Sequence, residues 1–174
     1  MTLVELMVAS GIGGMVFAVV ASLVFFSSRS FAALTNYVDL DQYSRNALDQ
    51  MISEIRQADG VTRFTTNELD CRFTNPTNGV AYTTTYKWDS TSKQLKKSVA
   101  GGTPQVLLQE CDTLKFACYQ RNPQNGKYDW YPVENSRPDL VKLVEMNWIC
   151  SRSILGKNAN TESVQSAKVV IRKQ

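Results

Sequence analysis

Glu5 is the one acid in the apolar stretch MTLVELMVASGIGGMVFAVVASLVFF that opens the chain, and no side chain from Leu6 to Phe26 carries a charge. An ionised carboxylate in hydrocarbon costs about 2.5–3.5 kcal/mol or more, so an acid placed there needs a partner and is a functional candidate by default. The nearest cation is the α-amino group of Met1, too close along a helix to be its best partner within one chain. A neighbouring copy, shifted along a helical stack, would bring its own terminal amine against Glu5. That is an argument for a polymer. The other reactive side chains are Cys71, Cys111, Cys118 and Cys150, all in the second part of the chain. An even count in a chain exported across a membrane suggests two disulfides. No CxxC spacing and no histidine are present, which leaves a zinc site the weaker alternative. Three pairings are open. If the segments around 112–120 and 140–151 form a hairpin, position 111 falls opposite 150, which gives Cys111–Cys150 with Cys71–Cys118.

Catalytic chemistry finds little support. There is no histidine, no glycine-rich phosphate loop and no GxSxG turn. Glu110 and Asp112 are one strand position apart and read as solvated rather than as an acid–base pair. No catalytic residue, metal site or cofactor is expected. Charge is uneven: residues 1–60 hold six acids and three bases, net −3, against +3 for the whole chain, so residues 61–174 carry +6. A basic surface attracts anions, but the bases are scattered, and specific nucleic-acid binding is not expected.

The elements that must position these residues follow from pattern. Leu6–Phe26 spans 21 residues, and about 20 suffice to cross a bilayer core as a helix. None of Met1–Glu5 is basic, which argues against a signal peptide; an ordinary single-pass anchor would not need the acid. Gly11, Gly13 and Gly14 either let neighbouring helices approach or let this helix stretch locally. Ser27-Ser28-Arg29-Ser30 reads as the membrane boundary. From Phe31 to Ala58 there is neither proline nor glycine, so the helix should continue. Leu34, Tyr37, Leu48, Met51, Ile52 and Ile55 fall near one face and predict a docking stripe, interrupted by Asp41 and Ser44 and therefore continuous only from about Leu48. Asp59-Gly60 reads as the stop, with Gly60 as a left-handed cap.

Beyond it the pattern is strand-like, with runs at Leu69–Thr74, Ala81–Trp88, Lys93–Val99, Gln105–Gln109, Thr113–Gln120, Leu140–Ser151 and Ser163–Arg172. Turns are expected at Asn75–Gly79, Asp89–Ser92 and Gly156–Thr161, and a long exposed loop, carrying Tyr128, Trp130 and Tyr131, at Arg121–Pro138. Strands in series with no interleaved helix argue an antiparallel sheet, hence an α+β fold.

Thr2-Leu3-Val4-Glu5-Leu6-Met7-Val8 closely resembles the start of a mature type IV pilin or pseudopilin. In that family a prepilin peptidase removes a short basic leader and methylates the new terminal amine, which implies Met1 as the N-methylated residue, where Phe is usual. With no basic leader present, the chain reads as the processed subunit. The family's helix-breaking proline near position 22 is replaced by Ser22, so any melting is expected at Gly11–Gly14. Leu48–Ala58 (LDQMISEIRQA) and the run Lys168-Val169-Val170-Ile171-Arg172 resemble W-type minor pilins and J-type pseudopilins of filament tips.

The resemblance implies a long N-terminal α-helix packed on an antiparallel β-sheet head. Residues 1–60 are the helix (1–26 membrane or filament core, 27–60 head-docking), and 61–174 are the β-rich head. It implies a structural subunit, with Met1, Thr2, Leu3, Val4 and Glu5 as assembly residues. Its partners would be further copies in a helical filament, the inner membrane before assembly, the prepilin peptidase and the pilus or secretion assembly machinery. Its location would be the inner membrane, then an extracellular filament or a periplasmic pseudopilus. The alternatives are an initiating or capping subunit and a non-polymerising membrane-anchored binding module.

Overall fold

A computed structural model describes residues 2–121, 130–152 and 162–172. A single helix, α1 (Leu3–Gln57), runs 55 residues. At 1.5 Å per residue that is on the order of 80 Å. Thr2 caps it in extended conformation, and it passes through Gly11–Gly14 without a break.

The exit differs from the reading of Gly60 as a left-handed cap. Ala58 is the C-cap in extended conformation, its N–H donating to the Ile55 carbonyl at 3.2 Å. Gly60 instead opens the first strand, paired with Arg72. The buried Ala58 and the bond from the Asp59 N–H to the Arg72 carbonyl at 2.8 Å pull the chain straight into the sheet. Strand pairing therefore wins over the local glycine signal.

Nine strands follow among the described residues. β1 (Gly60–Phe64), β2 (Glu68–Thr74), β3 (Ala81–Asp89), β4 (Gln94–Val99) and β5 (Gln105–Leu108) form one antiparallel sheet in sequence order. β6 (Cys111–Arg121), β7 (Trp130–Pro132), β8 (Leu143–Ser151) and β9 (Glu162–Val170) form a second, ordered β7-β6-β8-β9. The expected strands are present to within a few residues. The Asn75–Gly79 turn closes through the Gly79 N–H to the Asn75 carbonyl at 2.9 Å, with Gly79 at φ +68°, a region glycine enters without a Cβ penalty.

Part of the expected Arg121–Pro138 loop is strand: Tyr131 pairs with Gln120 and Trp130 with Arg121 on the edge of the second sheet. All three β7 residues are exposed, so no apolar alternation marked it. The backbone holds it, and Pro132 is tolerated at the edge. Leu140 belongs to a single 3₁₀ turn, Pro138–Leu140, ahead of β8. Tyr128 and the expected turn at 156–161 lie outside the described residues.

One core joins the C-terminal part of α1 to both sheets. Leu40, Ser44, Ala47, Met51 and Ile55 are buried at steps of three and four, one helix face. The helix rests mainly on β9, with β5 and β8 beside it. Docking therefore begins at Leu40, earlier than the Leu48 expected, while Leu34 and Tyr37 remain exposed. Ser44 does not interrupt the face. It is buried and accepts a hydrogen bond from Trp148 Nε1 at 2.7 Å. Asp41 accepts from Ser163 Oγ at 3.2 Å and Gln165 Nε2 at 3.1 Å on β9. Polar side chains with partners dock a helix as apolar ones do, because burying a satisfied group avoids the desolvation penalty.

Candidate assembly surface

Residues 3–39 of α1 contain no buried position. That length, roughly 55 Å at 1.5 Å per residue, lies ahead of the buried seam and meets the head at Asn36, whose Oδ1 accepts a hydrogen bond from Arg152 at 3.4 Å. Its first two-thirds are apolar on every side. Phe17 is 75% exposed and Phe26 73%, and Leu6, Ile12, Val19 and Leu23 are exposed too. A helix apolar all round is stable when lipid or other protein surrounds it. It is the one described helix long and apolar enough to cross a membrane, with mean hydropathy 2.2 over its best window.

The start of this surface is a capping box. The Thr2 N–H donates to Glu5 Oε2 at 2.7 Å, and the Glu5 N–H donates to Thr2 Oγ1 at 3.4 Å. Two orphan donors of the first turn are thereby satisfied reciprocally, and the carboxylate lies at the positive end of the helix dipole. Glu5 thus has a partner inside its own chain, which weakens the inference from an unpaired acid to a polymer. The Thr-x-x-Glu spacing in Thr2-Leu3-Val4-Glu5 is the local signal for this role, which the reading of Glu5 as an unpartnered acid missed. Met1 lies outside the described residues.

Gly11, Gly13 and Gly14 face open space: a Cβ built on any of them meets nothing within 4 Å. Among the described residues no contact demands glycine there. Ser22 returns its hydroxyl to the Val19 carbonyl at 2.8 Å, and the helix continues through it.

On the head, Glu110 and Asp112 face different partners. Glu110 pairs with Arg152 at 2.8 Å, and Asp112 with Lys93 at 2.6 Å and with the Ser151 hydroxyl. A cleft of about 330 Å³ between α1 and β5 is lined by Leu40, Tyr43, Val106 and the Glu110–Arg152 pair; it holds no nucleophile beside a base. Among the described residues no three His, Cys, Asp or Glu side chains gather as metal ligands. Cys71, Cys111, Cys118 and Cys150 are all buried, and in this structure all four are in the reduced state. Burial pushes the Cys118 thiol up to about 12. Cys71 is also raised, by burial first and then by Cys118.

No family model matches the sequence, and no curated protein does. A solved structure does match. It is a type IV-like pilin from Thermus thermophilus, 11% identical, superposing with a TM-score of 0.51 over 75% of this chain and 94% of that one. The chain has a type IV pilin-like fold. At that identity the likeness is one of fold alone; in this chain the antiparallel strands pack on the last third of the long helix, whose first part is apolar and unburied.

Proposed function

We propose that the chain is a structural, non-catalytic subunit of a type IV pilus-like or pseudopilus filament. The helix α1 (Leu3–Gln57) is the assembly helix, and the strands from Gly60 onward form the head. Leu6–Phe26 holds the subunit in the inner membrane, and assembly moves that helix from lipid into a helical core. The single observation that carries this reading is the uncovered apolar length of α1 ahead of Leu40. Burying a Leu or Phe side chain fully is worth about 1.5–3 kcal/mol. Contact with other copies supplies that burial outside lipid. Met1–Glu5 sets register through the amine of one copy and Glu5 of the next, after processing and methylation at Met1 by the prepilin peptidase. Gly11, Gly13 and Gly14 allow close approach between helices, in keeping with the open space around them.

The test is to image filaments sheared from producing cells and search them for this chain by mass spectrometry. Abundant chain with a methylated N-terminal amine is the expected result. Trace amounts at filament ends would replace the major-subunit reading with an initiating subunit. Absence from any filament would sink both in favour of a membrane-anchored binding module.

A further inference from the structure

Cys111 and Cys150 stand directly opposite one another where β6 and β8 pair, and both are fully buried. Facing residues in an antiparallel ladder alternate between pairs that exchange backbone hydrogen bonds and pairs that exchange none. In the latter the Cα atoms come to about 4.5 Å and the side chains lie closer. The backbone bonds decide which kind this is. The Cys111 N–H donates away from β8, to the Lys93 carbonyl at 2.9 Å. The Cys111 carbonyl accepts from Trp88 Nε1 at 3.0 Å. The adjacent rung is closed by the Ser151 N–H to the Glu110 carbonyl at 3.1 Å. Cys111 and Cys150 are therefore a pair without mutual backbone bonds, and about 4.5 Å lies within the roughly 4.4–6.8 Å that a disulfide spans.

We propose that Cys111 and Cys150 form a disulfide, made by exchange with an external disulfide-bearing oxidoreductase before the head closes. The Cys111 thiolate attacks the oxidant's disulfide and expels one of its sulfurs. The Cys150 thiolate then attacks the mixed disulfide, closing the Cys111–Cys150 bond and releasing the oxidant as a dithiol. The cysteine pair loses two protons and two electrons, and the oxidant's disulfide gains both electrons. The order of events follows from burial. In the closed head the hydrogen-bonded Cys150 thiol and then burial push the Cys111 thiol far above its ordinary value, so attack as a thiolate is suppressed. Exchange belongs to the open chain. Oxidation in the cell also rests on the export of the head proposed above.

Trypsin separates the four cysteines onto four peptides, because Arg72, Lys115 and Lys142 lie between them. The full chain is reduced and unfolded in denaturant, refolded into detergent micelles with oxidised glutathione, capped with an alkylating reagent and digested without reductant. A linked pair of peptides carrying Cys111 and Cys150, lost on reduction, is the expected result. Cys111 or Cys150 recovered alkylated, or joined to Cys71 or Cys118, would overturn the pairing. As a control on timing, chain folded in reductant and only then given oxidised glutathione should form the link at least tenfold more slowly. Equal rates would overturn the order of events. The same map on chain taken from cells separates the two readings: all thiols reduced there, with the link formed in vitro, would count against export and leave the pairing standing.

Discussion

Thr2 and Glu5 give the first turn of α1 two jobs that substitutions separate. Glutamine at position 5 keeps the capping-box acceptor but removes the charge, whereas alanine at position 2 removes the N-cap, worth about 1 kcal/mol. Glu5→Gln is expected to leave the helix and head intact and reduce filament yield at least tenfold in shear preparations. Normal yield from that variant would show that Glu5 acts through the cap alone. Thr2→Ala is expected to fray the first turn with a smaller loss of yield. On the head, Ser44 and Trp148 form a buried hydrogen bond across 104 positions of sequence. Ser44→Ala leaves the indole N–H unsatisfied and should cost about 1–3 kcal/mol, read as a lowered denaturation midpoint of the full chain in detergent. The Thr-x-x-Glu spacing is a local signal, missed because Glu5 was read as an acid without a partner in its own chain. Ser44 gives no such signal, because a serine on a docking face reads as an interruption until its partner from β8 is known.

At the scale of elements, α1 docks on the head from Leu40 through Ile55, with Met51 and Ile55 fully buried. Beside them Glu54 accepts hydrogen bonds from Lys97 Nζ at 2.5 Å, Gln50 Nε2 at 3.0 Å and the Tyr86 hydroxyl. Met51→Ala should cost about 2–5 kcal/mol through lost burial and the cavity left behind, measured by denaturant unfolding. A loss below 0.5 kcal/mol, on the order of a surface substitution, would mean the helix–sheet seam does not carry the head. A Cys111–Cys150 bond closes a loop of about 40 residues, for which the chain-entropy model gives roughly 4 kcal/mol. Unchanged thermal unfolding after reduction of the oxidised chain would remove the disulfide as a structural strut.

Most strands were legible because apolar alternation and turn residues coincide, as at Ala81–Asp89 between the Asn75–Gly79 and Asp89–Ser92 turns. β7 was not, since an exposed edge strand held by backbone bonds leaves no side-chain pattern. Nor was the exit of α1, where Gly60 serves the ladder with β2 rather than a cap.

The whole molecule combines a charged, acid-sensitive head with an apolar stem. Hydrogen bonds from Ser92 and Thr91 hold Asp89 down to about 2, from an ordinary 3.8. Burial alone would raise Asp112, but hydrogen bonds from Lys93 and Ser151 outweigh it and lower it. A carboxylate depressed in the folded state contributes stability above its ordinary value, lost as pH falls through the folded one. Unfolding temperature should therefore hold steady near neutrality and drop between about pH 4 and pH 2. A rise on acidification through that window would contradict these assignments. By itself the sequence determined the apolar stem, its length and its lone acid, because hydropathy and helix propensity act over a few residues each. The hairpin pattern already set Cys111 opposite Cys150, whereas only the tertiary structure decided where the stem docks and that two sheets rather than one make the head. Those depend on register between segments far apart in the chain, which buried contacts and backbone ladders set and no local pattern encodes.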